Sequence, residues 1–310
     1  MNYQHYLTKN EKKEGPMHTV IANRADFFPQ DGCPIAFRAI RGDQPVQHKG
    51  DLTDIRHTHD FSELIIITAG GGDHWINGDI YQVQTGDIFL IQGNTEHYFT
   101  KRSGLDMYNI MFDDSYLREH LRSLRSLSGF NAFFLFEPTY RRSHKFKSHL
   151  HVTPEAMRPL MAKLQEMADE FACDRPGADL LLLARALEIF VYISRMYSDT
   201  PNPMAHSLFR LGELISKLEN CYAEKWTIGR ISKMTAMAPS TLLPVFKKVT
   251  GFSPIDYLLQ VRLSKAAELL LKTELPVSEI AQKCGFRDSN YFSRQFRKRY
   301  AAAPKNYRRG

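Results

Sequence analysis

Hydrophobic patterning divides the chain into regions of different texture. Between about Val20 and Leu150, short runs rich in β-forming residues, Leu64 to Ile67, His74 to Ile76, Tyr81 to Val83 and Asp87 to Ile91, are separated by Gly70-Gly71-Gly72, Asn77-Gly78 and Thr85-Gly86. Asn-Gly tolerates positive φ at both residues, which a tight hairpin requires. Closely spaced strands and turns of this kind predict a small β-barrel or sandwich. Further on, apolar residues recur with helical spacing from Pro154 to Phe171 and from Ala178 to Tyr197, predicting two amphipathic helices broken at Asp174-Arg175-Pro176-Gly177. The run Leu180 to Leu183 with Ile189, Phe190 and Ile193 carries more apolar surface than one helix face needs, so it is expected to pack on the barrel, on a second copy of the chain, or on both. Asp199-Thr200-Pro201-Asn202-Pro203 reads as a hinge.

Beyond the hinge, Ile255, Leu258, Leu259, Leu263, Ala266, Leu269 and Leu270 keep helical spacing from Pro254 to about Thr273, with Pro276 past the end, which predicts one long helix. A motif flanks it twice. Phe246, Gly251, Pro254 and Tyr257 are echoed by Phe296, Ala301, Pro304 and Tyr307, each 50 residues later. Each copy reads as a short helix, a turn and a second helix, at about 227–250 and 277–300, the helix-turn-helix pattern. In the second copy Gly285 is placed to end the first helix, Asp288 to cap the next, and Tyr291, Phe292, Phe296 and Tyr300 to form its apolar stripe. Ser289, Asn290, Ser293, Arg294, Arg297 and Lys298 fall on the opposite face. Charge segregates with the motif: residues 226–310 hold sixteen Lys and Arg against five Asp and Glu, a balance of +11. The whole chain carries +7, so the rest is at −4. A basic end on a mildly acidic body is the footprint of a nucleic-acid-binding domain.

At these residues the chain resembles the AraC/XylS family of bacterial transcription regulators. The stretch Ile280 to Lys298 carries that family's signature, followed by Pro304-Lys305-Asn306-Tyr307-Arg308. The resemblance covers roughly a hundred residues and implies seven helices, with two helix-turn-helix modules joined by the long one. The modules differ. Leu243 and Pro244 occupy positions often polar or basic in the family, Ala236 replaces the usual turn glycine, and Pro244 is expected to kink the helix or delay its start. Lys247 and Lys248 are therefore expected to hold phosphates, with Ser240 and Thr241 the base contacts, while the second module carries most specificity.

In the β-rich region, His57-Thr58-His59-Asp60-Phe61-Ser62-Glu63, then Gly70, Gly86-Asp87 and His97, resemble the two cupin motifs, although Gln92 and Asn94 stand where the second usually has Pro and Gly. In cupin enzymes the corresponding three His and Glu bind a metal. Two His separated by one residue on a strand face the same side, so the group could equally line a pocket that hydrogen-bonds a polar ligand. This region also resembles the sensors of the rhamnose-type, sugar-responsive regulators, which implies a ligand site at His57, His59, Glu63 and His97, with Trp75 or Tyr108 offering a flat face to a sugar ring. On that reading there is no cofactor, no metal and no catalysis. The alternative keeps His57, His59, Glu63 and His97 as metal ligands of an enzyme fused to a DNA-binding module, and a third reading is a constitutive DNA-binding dimer.

The expected organisation is thus a two-domain α+β protein: a tail at 1–19, a cupin-like β-barrel sensor at 20–150, a helical linker and possible dimerisation region at 151–203, and an all-α DNA-binding domain at 204–310. Cys33, Cys173, Cys221 and Cys284 show no paired spacing for zinc or a disulfide framework. The N-terminus lacks the apolar core of a signal peptide, and Leu180 to Tyr197 is interrupted by Arg185, Glu188 and Arg195, unlike a membrane span. These features fit a cytoplasmic protein with no membrane span, and the resemblance implies an activator whose partners are promoter DNA, a small-molecule effector of sugar type, RNA polymerase and a second copy of the chain.

Overall fold

The computed structural model describes residues 19–29, 33–42, 52–115, 117–142, 149–173, 175–199 and 203–308. They form two compact units, one of residues up to 123 together with 140–200, the other of 124–139 together with 201–310. The expected tail lies outside the described residues except for Thr19, whose hydroxyl donates to Glu96. Residues 200–202 of the expected hinge also lie outside them.

The first unit is built on eight strands: β1 (Val20–Ala22), β2 (Ile35–Ile40), β3 (His57–His59), β4 (Ser62–Ile76), β5 (Asp79–Gln84), β6 (Asp87–Ile91), β7 (His97–Phe112) and β8 (Leu150–His151). Their order is β1-β3-β7-β4-β6-β8, with β2 also on β7 and β5 also on β4. The expected barrel is corrected in one respect, because the sheet is not closed. It bends instead. β4 pairs with β6 along Glu63 to Ile66 and with β5 along Gly71 to Ile76, so its two halves belong to different parts of the sheet. Residues from both halves, including Ile65, Ile67, Ile76, Tyr81, Phe89 and Met107, meet in one core.

The glycine run that reads as a turn lies inside β4. Register shifts fall between Ile67 and Ala69 and between Ala69 and Gly71, where the strand bends. The glycines are there for closeness: a Cβ on Gly70 would lie 2.1 Å from the Gly104 carbonyl oxygen, and one on Gly72 2.2 Å from that of Lys101. Asn77 and Gly78, by contrast, are at φ 47° and 98° and turn β4 into β5, with Ile76 opposite Asp79, as the dipeptide predicts.

Four helices follow in sequence. Arg118–Leu124 is α1, and residues 128–142 run as one helix, α2, whose middle, Asn131–Phe136, is wound as a π-helix. Pro154–Phe171 is α3, capped by the Thr153 hydroxyl accepting from the Ala156 amide, and Ala178–Ser198 is α4. The pair α3 and α4 packs on itself and on β2, with Phe112 against Phe190 at 4.9 Å between ring centres. Ile189, Phe190 and Ile193 are thereby buried, while Leu180 and Leu181 stay 68% and 50% exposed.

Beyond residue 200 the described residues of the second unit form the seven helices that the resemblance implies: α5 (Pro203–Asn220), α6 (Ile228–Thr235), α7 (Pro239–Thr250), α8 (Pro254–Lys272), α9 (Val277–Lys283), α10 (Ser289–Tyr300) and α11 (Pro304–Tyr307). Pro244 neither delays nor interrupts α7, which starts at Pro239. At 19 residues, α8 is about 28 Å long at about 1.5 Å per residue. The unit also takes in 124–139, a stretch within the sequence-drawn sensor boundaries. There Asn131 donates to the carbonyls of Arg125 (2.7 Å) and Gly212 (3.1 Å), and a Cβ on Gly212 would come within 2.3 Å of the Ser128 carbonyl. Only glycine lets α2 and α5 approach so closely.

Candidate functional sites

The β-rich unit draws His57, His59, Glu63 and His97 into one buried group, each offering a ligand atom within 4.8 Å of the others. Sheet geometry does this. His57 and His59 lie two apart on β3 and share a face, His57 is in register with His97 on β7, and Glu63 is the second residue of β4, which follows β3 closely. Two backbone carbonyls fix two of the rings: His57 Nδ1 donates to Ile55 at 2.7 Å and His59 Nδ1 to Phe61 at 2.6 Å. A carbonyl only accepts, so these imidazoles carry their proton on Nδ1 and their lone pair on Nε2. His59 Nε2 lies 3.2 Å from His97 Nε2, and the Glu63 carboxylate lies 3.4 Å from His97 and 3.7 Å from His59.

Sequence reasoning missed two members of this group. Asn109 donates to Glu63 at 2.6 Å, and His74 Nε2 lies 3.2 Å from His97 Nδ1. The available signal is the two-residue period: His74 precedes inward-facing Ile76 by two, and Asn109 follows inward-facing Met107 by two. The same period excludes two expected members. Tyr108 adjoins Asn109 and faces the other side, where its hydroxyl accepts from Arg41 at 2.6 Å. Trp75 adjoins His74 and packs against Tyr98 and Arg56. The expected aromatic faces at Trp75 and Tyr108 are therefore not brought to the cluster.

Burial pushes the His59 imidazole down to about 4, with His57 adding to the effect against the hydrogen bond to Phe61. Burial likewise holds His97 and His74 well below the ordinary histidine range, reinforced by neighbouring imidazoles and, for His74, by Arg141. These rings are neutral near pH 7, the form that accepts hydrogen bonds or donates a lone pair to a metal. Three imidazoles and a carboxylate can hold a divalent transition metal or grip a polyhydroxylated molecule, whose hydroxyls donate and accept.

In the helical unit, Phe292 and Phe296 anchor α10, leaving Ser289, Asn290, Arg294, Arg297 and Lys298 exposed and Ser293 half-buried. Tyr291, expected in the apolar stripe, is 41% exposed. Asp288 caps the helix by accepting from the amides of Asn290 and Tyr291, and these bonds hold its carboxyl below the usual range. On α7, Leu242 and Phe246 are buried, and Ser240, Thr241, Pro244, Lys247 and Lys248 are exposed. The face that would meet DNA is thus polar and basic on α10 and sparser on α7.

Comparison with known proteins agrees with both halves. Residues 46–190 match the AraC-like ligand binding domain and residues 231–310 a helix-turn-helix domain. The HTH-type transcriptional activator RhaS of Pectobacterium carotovorum subsp. carotovorum (strain PC1) is 30% identical over 254 residues, 81% of this chain and 86% of that protein. The chain belongs to the AraC family of transcriptional regulators. RhaS of Citrobacter koseri (strain ATCC BAA-895 / CDC 4225-83 / SGSC4696) is 28% identical over 294 residues, 94% of this chain and 97% of that one. The C-terminal domain of the response regulator yesN from Fusobacterium nucleatum is 40% identical over 31% of this chain and 94% of that chain, with a TM-score of 0.30. As an AraC-family regulator the protein binds promoter DNA through its helix-turn-helix unit and a small-molecule effector through its N-terminal domain. Among the described residues no helix is long and apolar enough to cross a membrane.

Proposed function

We propose that this regulator is a transcriptional activator of carbohydrate-use genes, and that its effector is a polyhydroxylated molecule, a sugar, held at His57, His59, Glu63 and His97. What carries the reading is the convergence of four buried hydrogen-bonding side chains on one point of the AraC-like ligand-binding domain. The activator role is supported by full-length relatives named as activators. The protein works in the cytoplasm, without catalysis, alongside RNA polymerase. It pairs with a second copy through the exposed Leu180 and Leu181 of α4. Arg294 and Asn290 read bases, with Ser289, Ser293, Arg297 and Lys298 supporting them. On α7, Lys247 and Lys248 hold phosphates beside Ser240 and Thr241. The effector must favour one arrangement of the two units, since equal affinity for every arrangement shifts nothing.

A thermal-shift screen of monosaccharides identifies the ligand, because a molecule that binds only the folded state raises its melting temperature. Glu63→Gln then removes the transcriptional response to that ligand while leaving basal DNA binding intact. A variant that responds fully contradicts the assignment of the cluster. Turnover of the ligand by purified protein would favour the enzyme reading, and unchanged regulation across all ligands the constitutive one.

A further inference from the structure

We infer that Arg262 is a positioning residue for DNA binding: it sets the spacing and twist between the two reading helices by fastening the segment that leads into the first module onto the second. The long helix α8 carries both modules. Tyr257 in its first half packs against Phe246 of α7, at 5.7 Å between ring centres, while Leu263, Ala266, Ala267 and Leu270 enter the core of the second module. Apolar packing of this kind is non-directional. Fixing the twist of one module against the other calls for contacts that are directional.

Such contacts converge on residues 221–226, between α5 and α6. By chain this segment belongs to the first module, yet Tyr222 packs on the core of the second. Its neighbour Ala223 lies against the second module's turn, so closely that a Cβ on Gly285 would come within 2.7 Å of the Ala223 carbonyl oxygen and 2.8 Å of its Cα. From α8, Arg262 Nε donates to the Tyr222 carbonyl and Nη2 to the Glu224 carbonyl, each at 2.8 Å. From α6, Arg230 holds the same segment on its other side. It donates to the Lys225 carbonyl at 2.9 Å, pairs with the Glu224 carboxylate at 2.6 Å and lies 4.0 Å over the Trp226 ring. Trp226 Nε1 closes the loop on the Cys221 carbonyl at 3.0 Å. The Glu224 carboxylate is thus engaged by Arg230, and Arg262 acts through its planar fork on two carbonyls two residues apart. A guanidinium turned into the fold in this way fixes geometry and leaves its donors facing carbonyls, away from any phosphate.

The inference rests on α7 and α10 both reading DNA. Duplexes selected from a random library by the full-length wild-type protein serve as the probe, beside the same duplexes with one base pair inserted between the half-sites. The insertion moves one half-site by about 3.4 Å and turns it by about 35°. Wild-type affinity is expected to fall about 10–100-fold, the loss of one or two base contacts. Arg262→Ala is expected to bind the selected duplex more weakly and to bring the two duplexes within about threefold of each other, as for modules on a flexible link. Its affinity for a duplex with the α7 half-site scrambled stays at the wild-type value, and so does its salt dependence. Arg262→Lys, a milder change that keeps the charge but not the fork, regains part of the spacing preference and carries the comparison if the alanine variant loses its circular dichroism. Wild-type protein indifferent to the extra base pair overturns the inference together with the two-module reading beneath it. Strict spacing that survives unchanged in the folded variants overturns the inference alone. So does a salt dependence reduced by about one phosphate contact in Arg262→Ala.

Discussion

The two helix-turn-helix modules repeat one backbone with different chemistry. Both reading helices have 12 residues, and their buried anchors, Leu242 and Phe246 in one and Phe292 and Phe296 in the other, recur at the same interval of 50. Both end in a left-handed residue, Gly251 at φ 80° and Ala301 at φ 56°. Elsewhere they part. The turn of the first uses Ala236 at φ 54°, that of the second Gly285 at φ 79°. Ala238 precedes α7 without a side-chain cap, where Asp288 caps α10. The two modules share what the core requires and differ at exposed positions and in the turn, where the backbone tolerates more than one residue.

The glycine of the second turn is expected to be the harder to replace, because a Cβ on Gly285 would lie 2.7 Å from the Ala223 carbonyl oxygen as well as at positive φ. Gly285→Ala should cost about 2–4 kcal/mol of unfolding free energy, combining left-handed strain with overpacking. Chemical denaturation of the variant measures it, and a neutral result would mean the turn relaxes freely.

Arg294→Ala should cost about 1–3 kcal/mol on operator DNA and little on random DNA. On the first module Pro244 stands at the position of Arg294, and removing an expected base contact there, Thr241→Ala, should cost less. Base substitutions under α7 should likewise weaken binding less than those under α10. Equal penalties in the two half-sites would erase the distinction between the modules.

Running the turn comparison in reverse, Ala236→Gly should stabilise the protein by about 0.5–1 kcal/mol, since glycine relieves left-handed strain and returns part of the gain as chain entropy. Lys247→Ala should lower affinity for all sequences alike and reduce the salt dependence by about one phosphate contact. That slope is read from binding titrations at several salt concentrations.

The smallest effect concerns the cap. Asp288 has its carboxyl held below the ordinary value by the two amides it caps. Its contribution is present above the unfolded pKa and lost as pH falls through the lower folded one. Asp288→Ala should therefore lower the melting temperature slightly at neutral pH and make no difference in strong acid. A cap-independent melting curve at neutral pH would show that α10 holds its start by packing alone.

The second unit was largely legible in the sequence because its signals are local. Pro254 and the spacing of its leucines delimit α8, and Gly285 and Asp288 mark a turn and a cap at the positions they occupy. The proline at 244 misled, since a missing amide near the start of a helix leaves the remaining ladder intact enough to run from Pro239 to Thr250. In the first unit Asn77-Gly78 was readable as a hairpin. Gly70 to Gly72 was not readable as strand, because what requires Gly70 and Gly72 is the backbone of β7, some thirty residues away, while a Cβ on Gly71 would meet the Val83 carbonyl of β5. The His-Glu motif named its four residues correctly as neighbours but not Asn109 or His74, and it attracted Trp75 and Tyr108, which the alternation of their strands turns away.

The sequence by itself determined the helical periods, the two turns, the segregation of positive charge and the residues of the His-Glu motif, all of which depend on neighbours within a few positions or on composition. Tertiary structure decided the rest. It left the sheet open, placed His74 behind His97, and assigned residues 124–139 to the helical unit through Asn131 and the close approach at Gly212. Each of these depends on which surfaces meet across tens of residues, and pairings of that range are set by burial and fit in the folded chain, which no local pattern encodes.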